Sequence, residues 1–117
     1  MPGKLSTHVL DLAAGRPAAG IRVELRRLDP NPAVLGSTVT NADGRTDAPL
    51  LGPGEMAAGS YQLEFDVGSY FAGHAGPAPK VPFLGIVPVR FSIADPAASY
   101  HVPLLVTPWA YNTYRGS

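Results

Sequence analysis

Two of the three histidines in this 117-residue chain stand where polar side chains are out of place. His8 interrupts Leu5-Ser6-Thr7-His8-Val9-Leu10, and His101 lies between Tyr100 and the run Val102-Pro103-Leu104-Leu105-Val106. A neutral imidazole near pH 7 can take or give a proton, so two of them inside strands form a candidate acid–base pair. The plainer alternative is that each is a partly buried histidine satisfied by a backbone carbonyl. Arg45 follows the tight turn Ala42-Asp43-Gly44, where its planar donor fork can hold an anionic group. An ordinary ion pair with Asp43 or Asp47 would explain it too. His74 sits in a glycine-rich connection and reads as a surface residue. At the other end, Trp109, Tyr111 and Tyr114 run almost to Ser117, although chain ends are commonly polar and loose. Rings at that density predict a packed terminal strand that carries Arg115-Gly116-Ser117 to a defined place. An aromatic edge strand in an oligomer interface fits them as well.

Several other chemistries are excluded. Without cysteine there is no disulfide framework, thiolate zinc site or thiol nucleophile. Two strand histidines lacking a spaced carboxylate fall short of the three protein ligands of most catalytic zinc sites, so no metal is expected. The chain has no G-x-S-x-G elbow, no H-E-x-x-H and no P-loop. Gly52-Pro53-Gly54 has neither the spacing nor the following helix of a dinucleotide fingerprint, and no cofactor is expected. Nine Lys and Arg cancel nine Asp and Glu, which argues against a nucleic-acid partner, because phosphate binding needs an uncompensated basic face. Met1-Pro2-Gly3-Lys4 leads straight into a strand pattern and not into an apolar signal segment. The longest charge-free run, Pro96 to Tyr114, is broken by Pro96, Pro103 and Pro108, so no membrane span is expected. The expected location is the cytoplasm.

The elements that must position these residues are short strands. Thirteen Gly and 13 Pro are about twice the background of roughly 12%, a composition that suits turns and excludes a helical bundle. Leu5, Thr7 and Val9 alternate with Ser6, His8 and Leu10, which places His8 on one face of a first strand. Ile21 to Arg26, Tyr61 to Asp66 and Val87 to Ile93 alternate apolar and polar residues, the pattern of an antiparallel sheet with one wet face. Pro88 suits a strand start or an edge. Val34 to Thr40 is a weaker strand that ends at Asn41-Ala42-Asp43-Gly44. Gly15 to Gly20 reads as a loop, and Val67 to Ala75 as the place for a single short helix. Tyr100 to Val106 and Trp109 to Tyr114 are the last two strands. About eight strands at intervals of roughly 8–12 residues predict an all-β, two-sheet antiparallel sandwich forming one domain over residues 1–117.

The blocks Leu5-Ser6-Thr7-His8-Val9-Leu10-Asp11, Ala42-Asp43-Gly44-Arg45-Thr46-Asp47 and Tyr100-His101-Val102-Pro103-Leu104-Leu105 resemble the signatures of transthyretin-related proteins. The closing Tyr114-Arg115-Gly116-Ser117 resembles the terminal tetrapeptide of the branch that hydrolyses 5-hydroxyisourate. Hormone-carrying transthyretins lack this tetrapeptide and the two histidines. The resemblance covers nearly the whole chain, with Pro53 to Lys80 matching only loosely. It implies a transthyretin-like sandwich whose dimers pair into a homotetramer, with active sites at the dimer–dimer interface. It also implies opening of the 5-hydroxyisourate ring by water, in the route from urate to allantoin, without metal or cofactor. By the same resemblance His8, Arg45, His101 and Ser117 are the catalytic residues. Substrate is held by His8, Arg45, Tyr114, Arg115, Gly116 and Ser117. The competing function on the same fold is a non-enzymatic carrier that binds a flat ligand in the central channel.

Overall fold

A computed structural model describes residues 3–74 and 79–116. The clean alternations fold into one sheet of four long strands. These are β4 (Arg22–Asp29), β5 (Ala33–Val39), β6 (Gly59–Asp66) and β7 (Ile86–Ile93), in the order β5-β4-β6-β7, and all neighbours are antiparallel. Every second side chain points inward, so Val23, Leu25, Leu63, Phe65, Val87 and Val89 are buried. Pro88 has no N–H to give a ladder, and it sits on β7, at the edge of the sheet, where none is needed on the outer side.

The opposing layer is built from shorter pieces. β1 (Leu5–Ser6) pairs with β8 (Tyr100–His101), and β2 (Val9–Asp11) pairs with β9 (Leu104–Val106). β10 (Tyr111–Asn112) flanks β9, and β3 (Arg16–Pro17) flanks β2, inside the stretch expected to be only a loop. The first strand and the 100–106 strand each break once and then resume in the same register. Joining those pieces leaves eight strands, as the turn spacing predicts. The pairing differs from an all-antiparallel sandwich in one place, because β1/β8 and β2/β9 run parallel. Strand direction is set by which distant segments meet, and local alternation carries no signal of it.

Leu5 and Val9 are wholly buried, as are Leu104 and Val106, and they close the core against the long-strand sheet. The expected short helix is α1 (Val67–Ala72). The Asp66 carboxylate caps it by accepting from the Ser69 amide at 3.2 Å and the Ser69 hydroxyl at 2.8 Å. Its buried Tyr70 donates to Asp11 Oδ2 at 2.7 Å, and Asp11 Oδ1 accepts from the Ala13 and Ala14 amides. Burial raises the Tyr70 pKa, helped by the Asp11 carboxylate it bonds, so the phenol stays a donor. This buried bond ties the helix to the end of the strand that carries His8.

The chain end departs from expectation. Of the terminal strand predicted over Trp109 to Tyr114, only Tyr111–Asn112 is paired, and Trp109, Tyr111 and Tyr114 are exposed rather than packed. β10 lies at the edge of its sheet, bonded to β9 on one side only, and Trp109 lies beside the equally exposed Phe83 ring. Among the described residues, no helix is long and apolar enough to cross a membrane.

Candidate active site

Alternation in the first strand buries Leu5, Thr7 and Val9 and turns Ser6, His8 and Leu10 to the outer face. The parallel neighbour does the same, burying Tyr100 and Val102 and turning His101 outward. Because Ser6 is the register partner of His101, His8 stands two residues further along the same face. On the far side of the first strand, Arg45 forms an isolated antiparallel bridge with His8. On the far side of the other strand, Gly116 forms one with His101. Four distant segments thus line up across one sheet in the order Arg45, His8, His101, Gly116.

The turn before Arg45 sets the left half of this row. Gly44 has φ +74°, and a Cβ there would lie 2.3 Å from the Val9 carbonyl oxygen, so only glycine fits. Val9 N donates to the Gly44 carbonyl at 2.7 Å, which fastens the turn to the strand. The carbonyl of Asp43 then meets His8 Nε2 at 2.8 Å. A carbonyl only accepts, so Nε2 carries the hydrogen, and neutral His8 is left with a free lone pair on Nδ1. This is the backbone-carbonyl anchor of the plainer alternative, yet it leaves the second nitrogen available for chemistry. The ion pair considered for Arg45 does not form. Among the described residues, ion pairs join only Arg26 to Glu24 and Glu64, and Asp47 instead accepts from Asn41 Nδ2. Arg45 is exposed, and among the described residues its guanidinium has no ion-pair partner.

His101 is held differently. Its Nδ1 lies 2.9 Å from Ser6 Oγ, which leaves Nε2 open. Burial lowers its pKa from the ordinary 6.5, and the nearby charges of Arg45 and then His8 lower it further. The ring is therefore neutral at pH 7, and in the tautomer whose Nδ1–H donates to Ser6 Oγ its Nε2 accepts a proton. Gly116 exchanges backbone hydrogen bonds with His101, its N–H reaching the His101 carbonyl at 2.7 Å. A Cβ on Gly116 would sit 2.9 Å from His101 Cδ2 and 3.1 Å from its Cβ. This glycine thus lies close against a catalytic candidate itself.

The rest of the tail is placed less directly. The Arg115 guanidinium donates to the Ser99 carbonyl at 3.1 Å and lies 4.5 Å above the Tyr100 ring, so it anchors the tail to the 99–101 segment. Tyr114 is exposed, and Ser117 lies outside the described residues. His74 is exposed and stacks on Tyr70, away from the row. Among the described residues no group of three or more His, Cys, Asp or Glu could hold a metal ion. A cavity of about 400 Å³ lies beside α1, lined by Phe71, Phe83, Ile86 and Trp109, and holds none of the imidazoles. Sequence reasoning did not single out Ser6 or Asn41. The position of Ser6 on the His8 face, two residues before it, is the signal that was available for the first.

Known proteins resemble this chain in both sequence and fold. A model of the HIUase/Transthyretin family matches residues 5–116. The 5-hydroxyisourate hydrolase of Deinococcus radiodurans is 51% identical, over 99% of this chain and 97% of that protein. The crystal structure of (S)-allantoin synthase superimposes with a TM-score of 0.95 at 45% identity, covering 99% of this chain and 44% of that one. The 5-hydroxyisourate hydrolase of Klebsiella pneumoniae superimposes with a TM-score of 0.81 at 34% identity, covering 98% and 99% of the two chains.

Proposed function

This chain belongs to the HIUase/Transthyretin family, and we propose that it hydrolyses 5-hydroxyisourate to 2-oxo-4-hydroxy-4-carboxy-5-ureidoimidazoline, a step of urate degradation in purine catabolism. The observation that carries this is the meeting of His8, His101 and Arg45 on one sheet face, in a chain half-identical to a curated hydrolase along its full length.

Hydrolysis of a cyclic amide-like bond needs a base for water, charge stabilisation at the carbonyl and a proton for the departing nitrogen. Neutral His101, open at Nε2, takes a proton from water as the oxygen bonds to the ring carbonyl carbon. The exposed guanidinium of Arg45 faces the oxyanion that forms. The carbon–nitrogen bond then breaks, and the proton held by His101 passes to the ring nitrogen. His8, fixed at Nε2 by the Asp43 carbonyl, offers Nδ1 to a ring N–H and orients the substrate. Ser117 steadies the attacking water beside His101, while Tyr114, Arg115 and Gly116 complete the binding surface, Arg115 through its backbone. Every bond change is carried by side chains and water, so the reaction calls for neither metal nor cofactor.

The row of site residues lies on an outer sheet face, not in a closed cavity, and the same chain exposes the rings of Trp109, Tyr111 and Tyr114. Both features support a homotetramer, a dimer of dimers, whose facing sheets enclose each site. The same reading takes residues 1–117 as one transthyretin-like domain and places the protein in the cytoplasm, without a membrane or nucleic-acid partner. The test is to generate 5-hydroxyisourate from urate with urate oxidase and follow its decay. Acceleration in proportion to added protein is expected; decay at the spontaneous rate at every concentration would defeat the proposal.

A further inference from the structure

We infer that Asn41 is a positioning residue for the ring-opening site: it clamps the turn that fixes the proton on His8 and the place of Arg45. The kinetic part of this inference rests on the hydrolase reading above; the structural part does not.

Asn41 follows Thr40, a buried residue whose hydroxyl donates to the Ala18 carbonyl at 2.7 Å and accepts from the Ile21 amide at 2.9 Å. Its backbone is therefore secured to the body of the fold. From there it reaches both peptide planes that matter. Trans peptides hold their N–H and C=O pointing in opposite directions. In the Asp43–Gly44 peptide the N–H goes to the Asn41 carbonyl at 2.9 Å, so its C=O is aimed the other way, at His8 Nε2. In the Gly44–Arg45 peptide the N–H goes to Asn41 Oδ1 at 3.2 Å, and its C=O is aimed at the Val9 amide. Asn41 Oδ1 also accepts from the Asp43 amide at 2.9 Å, and Nδ2 donates to Asp47 Oδ1 at 3.0 Å. Each peptide is thus stretched between Asn41 on one side and the His8–Val9 segment on the other.

The consequence is chemical. The Asp43 carbonyl can only accept, so holding it 2.8 Å from His8 Nε2 keeps the imidazole hydrogen on that atom and the lone pair on Nδ1. Loss of the Asn41 side chain frees the Asp43 and Arg45 amides on either side of the Asp43–Gly44 peptide, whose N–H keeps the Asn41 backbone carbonyl alone, so the acceptor of His8 and the start of Arg45 both loosen. A displacement of about 1 Å at such a site is worth roughly 10²-fold in rate.

The experiment combines ring ¹⁵N spectra of His8 with kinetics for the wild type, Asn41→Ala, and the exchange variant Asn41→Asp with Asp47→Asn. The exchange keeps an oxygen acceptor at 41 and restores the bond to 47 with donor and acceptor reversed. The wild type should show His8 protonated at Nε2 and bare at Nδ1. Asn41→Ala should average the two nitrogens and lower kcat about 10²-fold, and the exchange variant should recover both. An Nδ1–H ring in the wild type would overturn the inference without any variant, as would Asn41→Ala with unchanged spectra and kcat. A wild type inactive on 5-hydroxyisourate would sink the hydrolase reading alone, and the ring spectra would still decide the role of Asn41.

Discussion

The two sheets of this sandwich are built on opposite principles. β6 and β7 pair without interruption from Gly59↔Ile93 to Asp66↔Ile86, and β4 lies on the other side of β6 along most of its length. The outer face of that sheet carries a chain of polar contacts, with Arg90 donating to Gln62, Gln62 to Glu64, and Arg26 paired with Glu24. The opposing sheet is made of pieces of two and three residues, joined by isolated bridges at Leu5, His8 and His101. Redundant ladders hold the first, so no single bond decides its shape. The second has a backbone ladder as well, but its outward imidazoles are placed by single bonds from chosen groups, Ser6 to His101 and the Asp43 carbonyl to His8, with Gly116 bridged to the His101 backbone. The site lies where each side chain is placed by one partner, and substitutions in the two sheets should therefore fail in different ways.

The largest effect on stability belongs to the ladder sheet. Leu63 is wholly buried in the middle of β6, between Leu25 and Val89. Leu63→Ala should cost about 2–5 kcal/mol in denaturant unfolding. Turnover per folded molecule should stay near that of the wild type, and a collapse of turnover in the folded fraction would blur the division between the sheets. Gly116→Val should do the reverse. Its added side chain meets His101 at ring and Cβ together, neither of which can swing away freely, and a loss of about 10²-fold in turnover is expected. Thermal melting should move little, because Gly116 only bridges His101 at the margin of the sheet, away from the core. The smallest effect is at Glu24, partnered with Arg26 on the wet face. Glu24→Gln should change stability by less than about 1 kcal/mol and leave activity alone, read by melting and turnover on one preparation.

The same contrast explains how much was legible in the sequence. β4, β6 and β7 could be read almost residue by residue, because period-two alternation states both the strand and its buried face. Ile21 to Arg26, for example, became Arg22–Asp29. The first strand was legible only as to faces: its parallel partner lies 95 residues away, and nothing local announces the direction of that pairing. Of the two readings of the terminal aromatics, packing within the chain fails, since composition does not tell whether an edge strand is covered by its own fold. His8, Arg45 and His101 stood out as candidates from residue type and position, and the family resemblance gave them their catalytic role. The alternative ion pair of Arg45 could be settled only by geometry, which gives Asp47 to Asn41 instead. Ser6 and Asn41 escaped notice because serine and asparagine near turns are common, and their roles lie in which nitrogen or amide they reach.

The most direct test of the account compares wild type and His101→Ala on one batch of freshly generated 5-hydroxyisourate at pH 7, with melting curves taken on the same samples. Half-buried on the outer face, the His101 ring contributes little to the core, so the two proteins should melt alike. The wild type should clear the compound far faster than buffer, and the variant should be slower by about 10²–10⁴-fold. Equal clearance by two folded proteins would contradict the claim that this imidazole face performs the ring opening.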